Sequence, residues 1–380
     1  MKTKHLLISL TLGLGLMLAL LLALNSAEGL ALSGPPAVGP RVALAQAGTG
    51  VIRVATSGTD VPTCGGESTP CRTVQYAVNQ ASSGDSVLVA TGTYSDIHLA
   101  VFGTITQVVY VDRSLTIRGG YNSNFTAWDP DLYPTTLDAR GLGRVVYITG
   151  GLTVTLDSLR IVNGSGERGG EVNPDPYIYP VGSGGGVHSD ARFLTVRNCV
   201  IMSNTAHNEA HSGTAGGGGI YQGCAQVGSY CSYAPTLVME DSSIISNTAD
   251  YHGGGIFVEG GGVPGTGDVT IRDVQFTSNH SNEDGGGVYA CYSSLTLLDS
   301  DFVHNVAWDD DPVDPNDSGG GLYLIEGGPV LLDGNTFVSN TADIGGGLFV
   351  RDVTLTMTDN LIQDNISYHY AGGTGVYQCA

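Results

Sequence analysis

Six asparagines, Asn204, Asn247, Asn279, Asn305, Asn340 and Asn365, close the same short pattern. Three residues before them stand Ile201, Ile244, Phe276, Phe302, Phe337 and Ile362. Six before stand Asn198, Asp241, Asp273, Asp299, Gly334 and Asp359. Two apolar residues come eight and ten positions before each Asn, from Leu194/Val196 to Leu355/Met357, and a looser copy runs from Val154 to Gly164. A second block alternates with the first: three glycines, an aliphatic residue, then usually an aromatic one. It begins at Gly184, Gly217, Gly253, Gly285, Gly319 and Gly345, and a last copy ends at Val376-Tyr377. One full period is about 26 residues in the tightest copies. That is too short for a propeller blade, and no 3.6-residue spacing runs through it. Each period holds two or three short alternating segments separated by Gly or Asn turns, which puts one set of aliphatic residues on one side of every strand. Stacking the periods about 4.8 Å apart buries all those sets together. The fold this predicts is an all-β, single-stranded parallel β-helix, right-handed, with a shared apolar interior.

Within that fold the repeated Asn serves a turn needing positive φ, and stacked amides can bond one another along the axis. The Gly triplets allow tight turning and close approach of coils. The aromatic column Tyr221, Phe257, Tyr289, Tyr323, Phe349 and Tyr377 alternates with inward aliphatic residues, so we expect an outward-facing ladder. Arg72 to Ala81 reads as a short amphipathic helix with Val74, Ala77, Val78 and Ala81 on one face. It would shield the open end of the core, with Val87–Val89 and Leu115–Ile117 as the first coils.

Composition narrows the role. Gly supplies 57 residues, yet 41% of the chain is hydrophobic and Pro only 15, which excludes a collagen-like or disordered polymer. The net charge is -21 and the only lysines are Lys2 and Lys4. Such a chain is no phosphate-neutralising nucleic-acid binder, and it has no lysine for a phosphate-binding Gly-x-x-x-x-Gly-Lys loop. Lys2 and Lys4 precede an apolar run from Leu6 to Leu24, the order of a secretory signal. Ala45-Gln46-Ala47 offers a small-x-small cleavage site, while the run is also long enough to stay as an anchor. Residues 1–47 are therefore a signal peptide or anchor plus linker, 48–120 the cap and first coils, and 121–380 the repeats. The membrane enters only through that first segment, if it is not cleaved. Seven cysteines fit an oxidising compartment. Cys64 with Cys71 and Cys224 with Cys231 are each spaced for a local loop staple. Cys199, Cys291 and Cys379 read as buried free thiols.

The pairing of Gly-Gly-Gly-[VIL] with Phe276-Thr-Ser-Asn279, Phe302-Val-His-Asn305 and Phe337-Val-Ser-Asn340 resembles the repeats of chlamydial-type polymorphic outer membrane proteins. Val54 to Tyr94, with its CRTVQYAV and GDSVLVATGTY, is similar to the N-terminal segment of secreted pectin-lyase-like β-helix proteins. Together these resemblances span roughly 54–377. They imply secretion or surface display, with adhesion in some members. Polymorphic outer membrane proteins also carry a C-terminal autotransporter barrel, which these 380 residues lack. The chain stops at Ala380 a few residues into a new coil and reads as a fragment or truncated product.

Many parallel β-helix proteins cleave polysaccharides, so catalytic sets were sought. Asn247-Thr-Ala-Asp250, Asp309-Asp310 and His252-Gly253 look like pieces of a polygalacturonase-type site, but no Arg-x-Lys clamp accompanies them. The first piece recurs as Asn340-Thr-Ala-Asp343 and so belongs to the repeat. The residues that do break the repeat lie between each Asn and the next Gly triplet, in loops expected to share one ridge. That ridge would carry Tyr177 and Tyr179; His207, Glu209 and His211; Asp250, Tyr251 and His252; Glu283 and Asp284; Trp308; and Tyr368, His369 and Tyr370. Rings of this kind stack on sugars, and carboxylates bind hydroxyls or Ca²⁺. Asp309, Asp310, Asp311, Asp314 and Asp317 form the candidate Ca²⁺ loop, although it lacks the Gly and terminal Glu of an EF-hand. His207-Asn-Glu-Ala-His211 departs from the zinc-protease His-Glu-x-x-His. The sequence thus points to an exported or cell-surface β-helix that binds, with a polysaccharide or cell-surface glycan as partner. A carbohydrate-active enzyme, a lyase or hydrolase of acidic polysaccharide, is the alternative.

Overall fold

The computed structural model describes residues 50–99, 106–166, 182–207, 215–224, 226–227, 230–231, 233–261, 267–308, 316–370 and 374–377. Contacts divide the chain into Met1–Ala43, which lies outside those residues together with the signal and linker, and Leu44–Ala380, which holds every coil. Among the described residues no helix is long and apolar enough to cross a membrane.

Leu44–Ala380 is a parallel β-helix. Each complete coil starts at its Gly triplet and enters a 10-stranded sheet through segments such as Val288–Cys291. It turns into a 17-stranded sheet that takes both apolar segments of the repeat, Ser293–Leu298 and Asp301–Val303 in the same coil. It then passes its Asn into a 7-stranded sheet of short segments, Val306–Ala307 here, before the loop to the next triplet. Identical positions face each other across coils: Leu237, Val269, Leu295, Val330 and Leu355 follow in register. Ile201, Ile244, Phe276, Phe302 and Phe337 are all 0% exposed, and Ile362 in the last coil is partly buried against them. The three phenylalanines stack, with centroids 4.5 Å and 4.7 Å apart. Successive ladder asparagines are separated by 43, 32, 26, 35 and 25 residues. The period is thus the short-coil value with loop length added.

The Asn ladder forms, but the turn falls elsewhere than expected. Positive φ belongs to the residue before each Asn (Ser203, Ser246, Ser278, His304, Ser339 and Asp364) and to the position six before it, as at Asp241, Asp273 and Asp299. The asparagines themselves are drawn inward: Asn204, Asn247, Asn279, Asn305 and Asn340 are fully buried. A buried amide must satisfy its donors and acceptor locally, and the neighbouring coil offers the same amide in register. A second, mixed ladder runs beside it: the Ser300 N–H donates to Asn335 Oδ1 at 3.0 Å, and the Asn335 amide to Asn360 at 2.9 Å.

The N-terminal end is closed as predicted. Thr73 caps the helix Val74–Gln80 by accepting from the Tyr76 N–H, and Asp60 accepts from the N–H groups of Arg72 and Thr73. Val74, Ala77, Val78 and Ala81 are buried against the core. The sequence did not announce the strand ahead of the helix, Val51–Val54, which pairs in parallel with Ser86–Ala90. Cys64 and Cys71 form the expected disulfide, and Cys224 is also disulfide-bonded. The side chain of Cys231 and all of Cys379 lie outside the described residues. Cys199 and Cys291 are free and buried.

Candidate binding site on the loop ridge

The 7-stranded sheet fixes where the loops begin. Ala206, Ala249, Ser281, Ala307, Ala342 and Ser367 are in register, so the next residue in each coil, His207, Asp250, Asn282, Trp308, Asp343 and Tyr368, forms one column. The loops therefore begin at one corner. Of the ridge residues, Tyr177, Tyr179, Glu209 and His211 lie outside the described residues, as do Asp309, Asp310, Asp311 and Asp314 of the candidate Ca²⁺ loop. Asp317 is described and buried. Among the described residues the grouping with metal-ligand spacing is Asp60, Cys64 and Cys71, and its two sulfurs are already joined to each other.

Register brings histidines and carboxylates of neighbouring coils together, which sequence alone did not reveal. His207 Nδ1 lies 3.5 Å from Asp250 Oδ2, His252 Nδ1 3.9 Å from Asp284 Oδ2, and His369 Nδ1 3.1 Å from Asp343 Oδ1. Asp343 was set aside in the sequence as a repeat residue, yet it pairs with one that is not. In the last coil Tyr368 and His369 together oppose Asp343, a bulge in the ladder. An extra residue of this kind re-aims side chains. Here His369 meets the carboxylate of Asp343, while the Tyr368 ring reaches Trp308 two coils away, centroids 5.3 Å apart. Both rings stay open to solvent, 38% exposed for Trp308 and 56% for Tyr368, whereas Asp343 between them is buried.

The aromatic column differs from its predicted exposure. Tyr289, Tyr323 and Phe349 do stack coil on coil, at 4.9 Å and 5.1 Å, while Phe257 meets Tyr221 and Tyr289 edge-on. Yet Tyr221, Phe257, Tyr323 and Phe349 are all buried. Each ring covers its neighbours' faces, His252 lies flat on Tyr289 at 4.3 Å, and the Tyr221 hydroxyl donates to Glu259. The column extends further back than the Gly triplets suggested, through His188 and Tyr147 to Tyr110. It also stops earlier, because Tyr377 pairs with Arg351 and Gly375 takes the place opposite Phe349.

His252 and Asp284 sit where this column meets the ridge. Burial pushes the Asp284 carboxyl up to about 8, an effect the Ser318 N–H opposes by donating to it at 2.8 Å and nearby Glu283 and Asp317 reinforce. Burial also pulls His252 down to about 4, and its Nδ1 has no hydrogen-bond partner. For Asp284 the folded pKa lies above the ordinary 3.8, so the stability it contributes is complete below about 4 and is lost as pH rises through 8. For His252 the folded pKa lies below the ordinary 6.5, so its contribution is complete above that value and fades as pH falls toward about 4. Asp284→Asn should therefore hold its thermal midpoint between about pH 6 and 9 while the parent declines. Parallel decline of the two proteins in pH-resolved melting would refute this assignment.

The family model of the Chlamydia polymorphic membrane protein repeat matches residues 273–291. This stretch is similar to that repeat. It takes in the positive-φ Asp273, the Phe276–Asn279 segment, the Glu283–Asp284 loop and the triplet leading to Tyr289. The other coils repeat the same placements by register. No curated protein sequence matches the chain. Among solved structures, the GH136 lacto-N-biosidase from Eubacterium ramulus is similar at 12% identity over 87% of this chain and 68% of that one, with a TM-score of 0.26. A superposition that poor carries no argument about activity.

Proposed function

We propose that this chain is an exported, surface-located β-helix that works by binding, with a glycan as its ligand along the loop ridge. The carrying observation is the exposed Trp308–Tyr368 pair, held by a bulge that departs from the repeat at the corner where the loops begin. Two large rings left open at one corner, two coils apart, offer an apolar face to a ligand, and the C–H face of a pyranose fits it. Export accords with the Lys2/Lys4-led apolar run and with the Cys64–Cys71 bond. Surface location accords with the membrane-protein repeat. A glycan array probed with the full chain tests the reading: hits that weaken in Trp308→Ala support it, and an array without hits overturns it.

A second reading, a carbohydrate-active enzyme on acidic polysaccharide, is favoured by one observation. Burial pushes the Asp284 carboxyl up to about 8 and pulls His252, 3.9 Å away, down to about 4, which favours the protonated carboxyl that a general acid needs. Incubation with polyuronates, with and without Ca²⁺, decides between the two. Ultraviolet-absorbing unsaturated product or new reducing ends would replace the binding reading, and neither is expected.

A further inference from the structure

Charge sorts the candidate ligands. The loops that leave the 7-stranded sheet from Thr205 onward (205–216, 248–252, 280–284, 306–318, 341–344 and 366–371) contain ten acidic residues and no Lys or Arg. Of the described arginines, Arg118 and Arg197 sit on the 17-stranded sheet, 3.2 Å and 3.0 Å from the buried Asp157 between them, while Arg351 lies near enough to act on Asp284. A polyanion drawn along the ridge would meet like charge in five of these six loops, with no Lys or Arg in them to compensate. A neutral sugar would be tolerated. A ligand carrying amines would be attracted.

Local geometry points the same way. The column order Trp308, Asp343, Tyr368 places a buried carboxylate between the coils that supply the two exposed rings. Aromatic faces are themselves negative and attract ammonium groups, and a carboxylate beside them deepens that potential. The same faces accept the axial C–H groups of a pyranose. One ligand chemistry uses both properties: a sugar ring bearing a protonated amine.

We propose that the Trp308–Asp343–Tyr368 corner is a subsite for an amine-bearing, cationic glycan. The subsite rests on the ridge reading given above and sharpens it by excluding the acidic polysaccharides. It is carried by two open rings that meet across the coil of a buried carboxylate, in loops that hold no Lys or Arg from Thr205 onward.

The experiment uses the full chain and three β-1,4-linked tetramers matched in backbone and differing in charge: glucosamine, N-acetylglucosamine and glucuronate. Binding is followed by calorimetry and by the fluorescence of Trp308, with Trp128 replaced by Phe to isolate the signal. The expected order is glucosamine, then N-acetylglucosamine, then glucuronate, with the first preference shrinking as salt is raised. Trp308→Ala and Tyr368→Ala should each weaken glucosamine-tetramer binding at least about tenfold, and Trp308→Phe less. Circular dichroism confirms that each variant keeps its strands. Glucuronate binding equal to or tighter than glucosamine overturns the ligand class while leaving the ridge reading in place. The expected order with no effect of either ring substitution overturns the subsite. Failure of all three tetramers overturns the subsite and the glycan reading together.

Discussion

Gly286→Ala should cost about 3 kcal/mol or more and Gly334→Asn, one coil further on, no more than about 1 kcal/mol. The two glycines answer different needs. A Cβ on Gly286 would lie 2.3 Å from the Val306 carbonyl oxygen and 2.5 Å from that of Gly320. Both belong to backbone already fixed by ladder hydrogen bonds, Gly287 N–H to Gly320 among them, so neither can withdraw without breaking the ladder. Gly334 is a glycine for its backbone angle, φ 71°, and Asp299 and Asp359 hold the equivalent place at 49° and 52°. Asn tolerates that region, and the atom its Cβ would crowd is the far end of the Asp299 side chain. Urea unfolding of both variants measures the contrast, and equal losses would contradict the division of labour between close approach and turning.

That contrast also marks how far the sequence could be read. Identical residues at a fixed spacing revealed the coils, the inward Phe and Ile column and the amide ladder, because a solenoid repeats each environment once per turn. The turn residue was misplaced by one position. Ser203, His304 and Asp364 share only polarity, so nothing distinguished their place from the conspicuous Asn beside it. The mixed ladder escaped for the same reason, since Ser242, Ser300, Asn335 and Asn360 are equivalent by register and not by identity. Alternation correctly turned Tyr221 and Phe257 away from the core. It carries no information on what lies over them, and burial of that column comes from ring-on-ring contact and from a loop histidine.

At the ridge the limit was register between coils. The loops could be assigned to one corner, yet His252 and Asp284 are 32 residues apart and become neighbours only when two coils are aligned. The Tyr368–His369 bulge is still less visible, being one extra residue in a loop whose length varies from coil to coil. Unlike side chains in this fold therefore meet where the repeat is broken. A strict ladder leaves each side chain only copies of itself as axial neighbours, whereas a bulge or a substituted column puts unlike groups in contact.

Asn305→Ala should be among the most damaging single substitutions in the stack, costing about 4 kcal/mol, whereas Asn365→Ala should cost about 1 kcal/mol. Asn305 Oδ1 accepts from the Asn279 N–H at 3.0 Å and from its Nδ2 at 2.9 Å. Its own Nδ2 donates to the Phe276 carbonyl at 2.9 Å and to Asn340 Oδ1 at 3.0 Å. Alanine removes these together, leaving the buried Asn279 N–H without its acceptor, at roughly 1–3 kcal/mol, and taking one bond each from the Asn279 amide, the Phe276 carbonyl and Asn340 Oδ1. Asn365 makes the same bonds to the coil before it, but it is part-buried in the final complete ladder step, so water can replace the amide. Coils interact only with their neighbours, so a broken step in the middle should also uncouple the stack. Asn305→Ala is then expected to unfold in two urea transitions where the parent shows one, with amide exchange quickened first on either side of residue 305. A single transition, or equal losses for the two variants, would mean that the amide ladder is incidental to what joins one coil to the next.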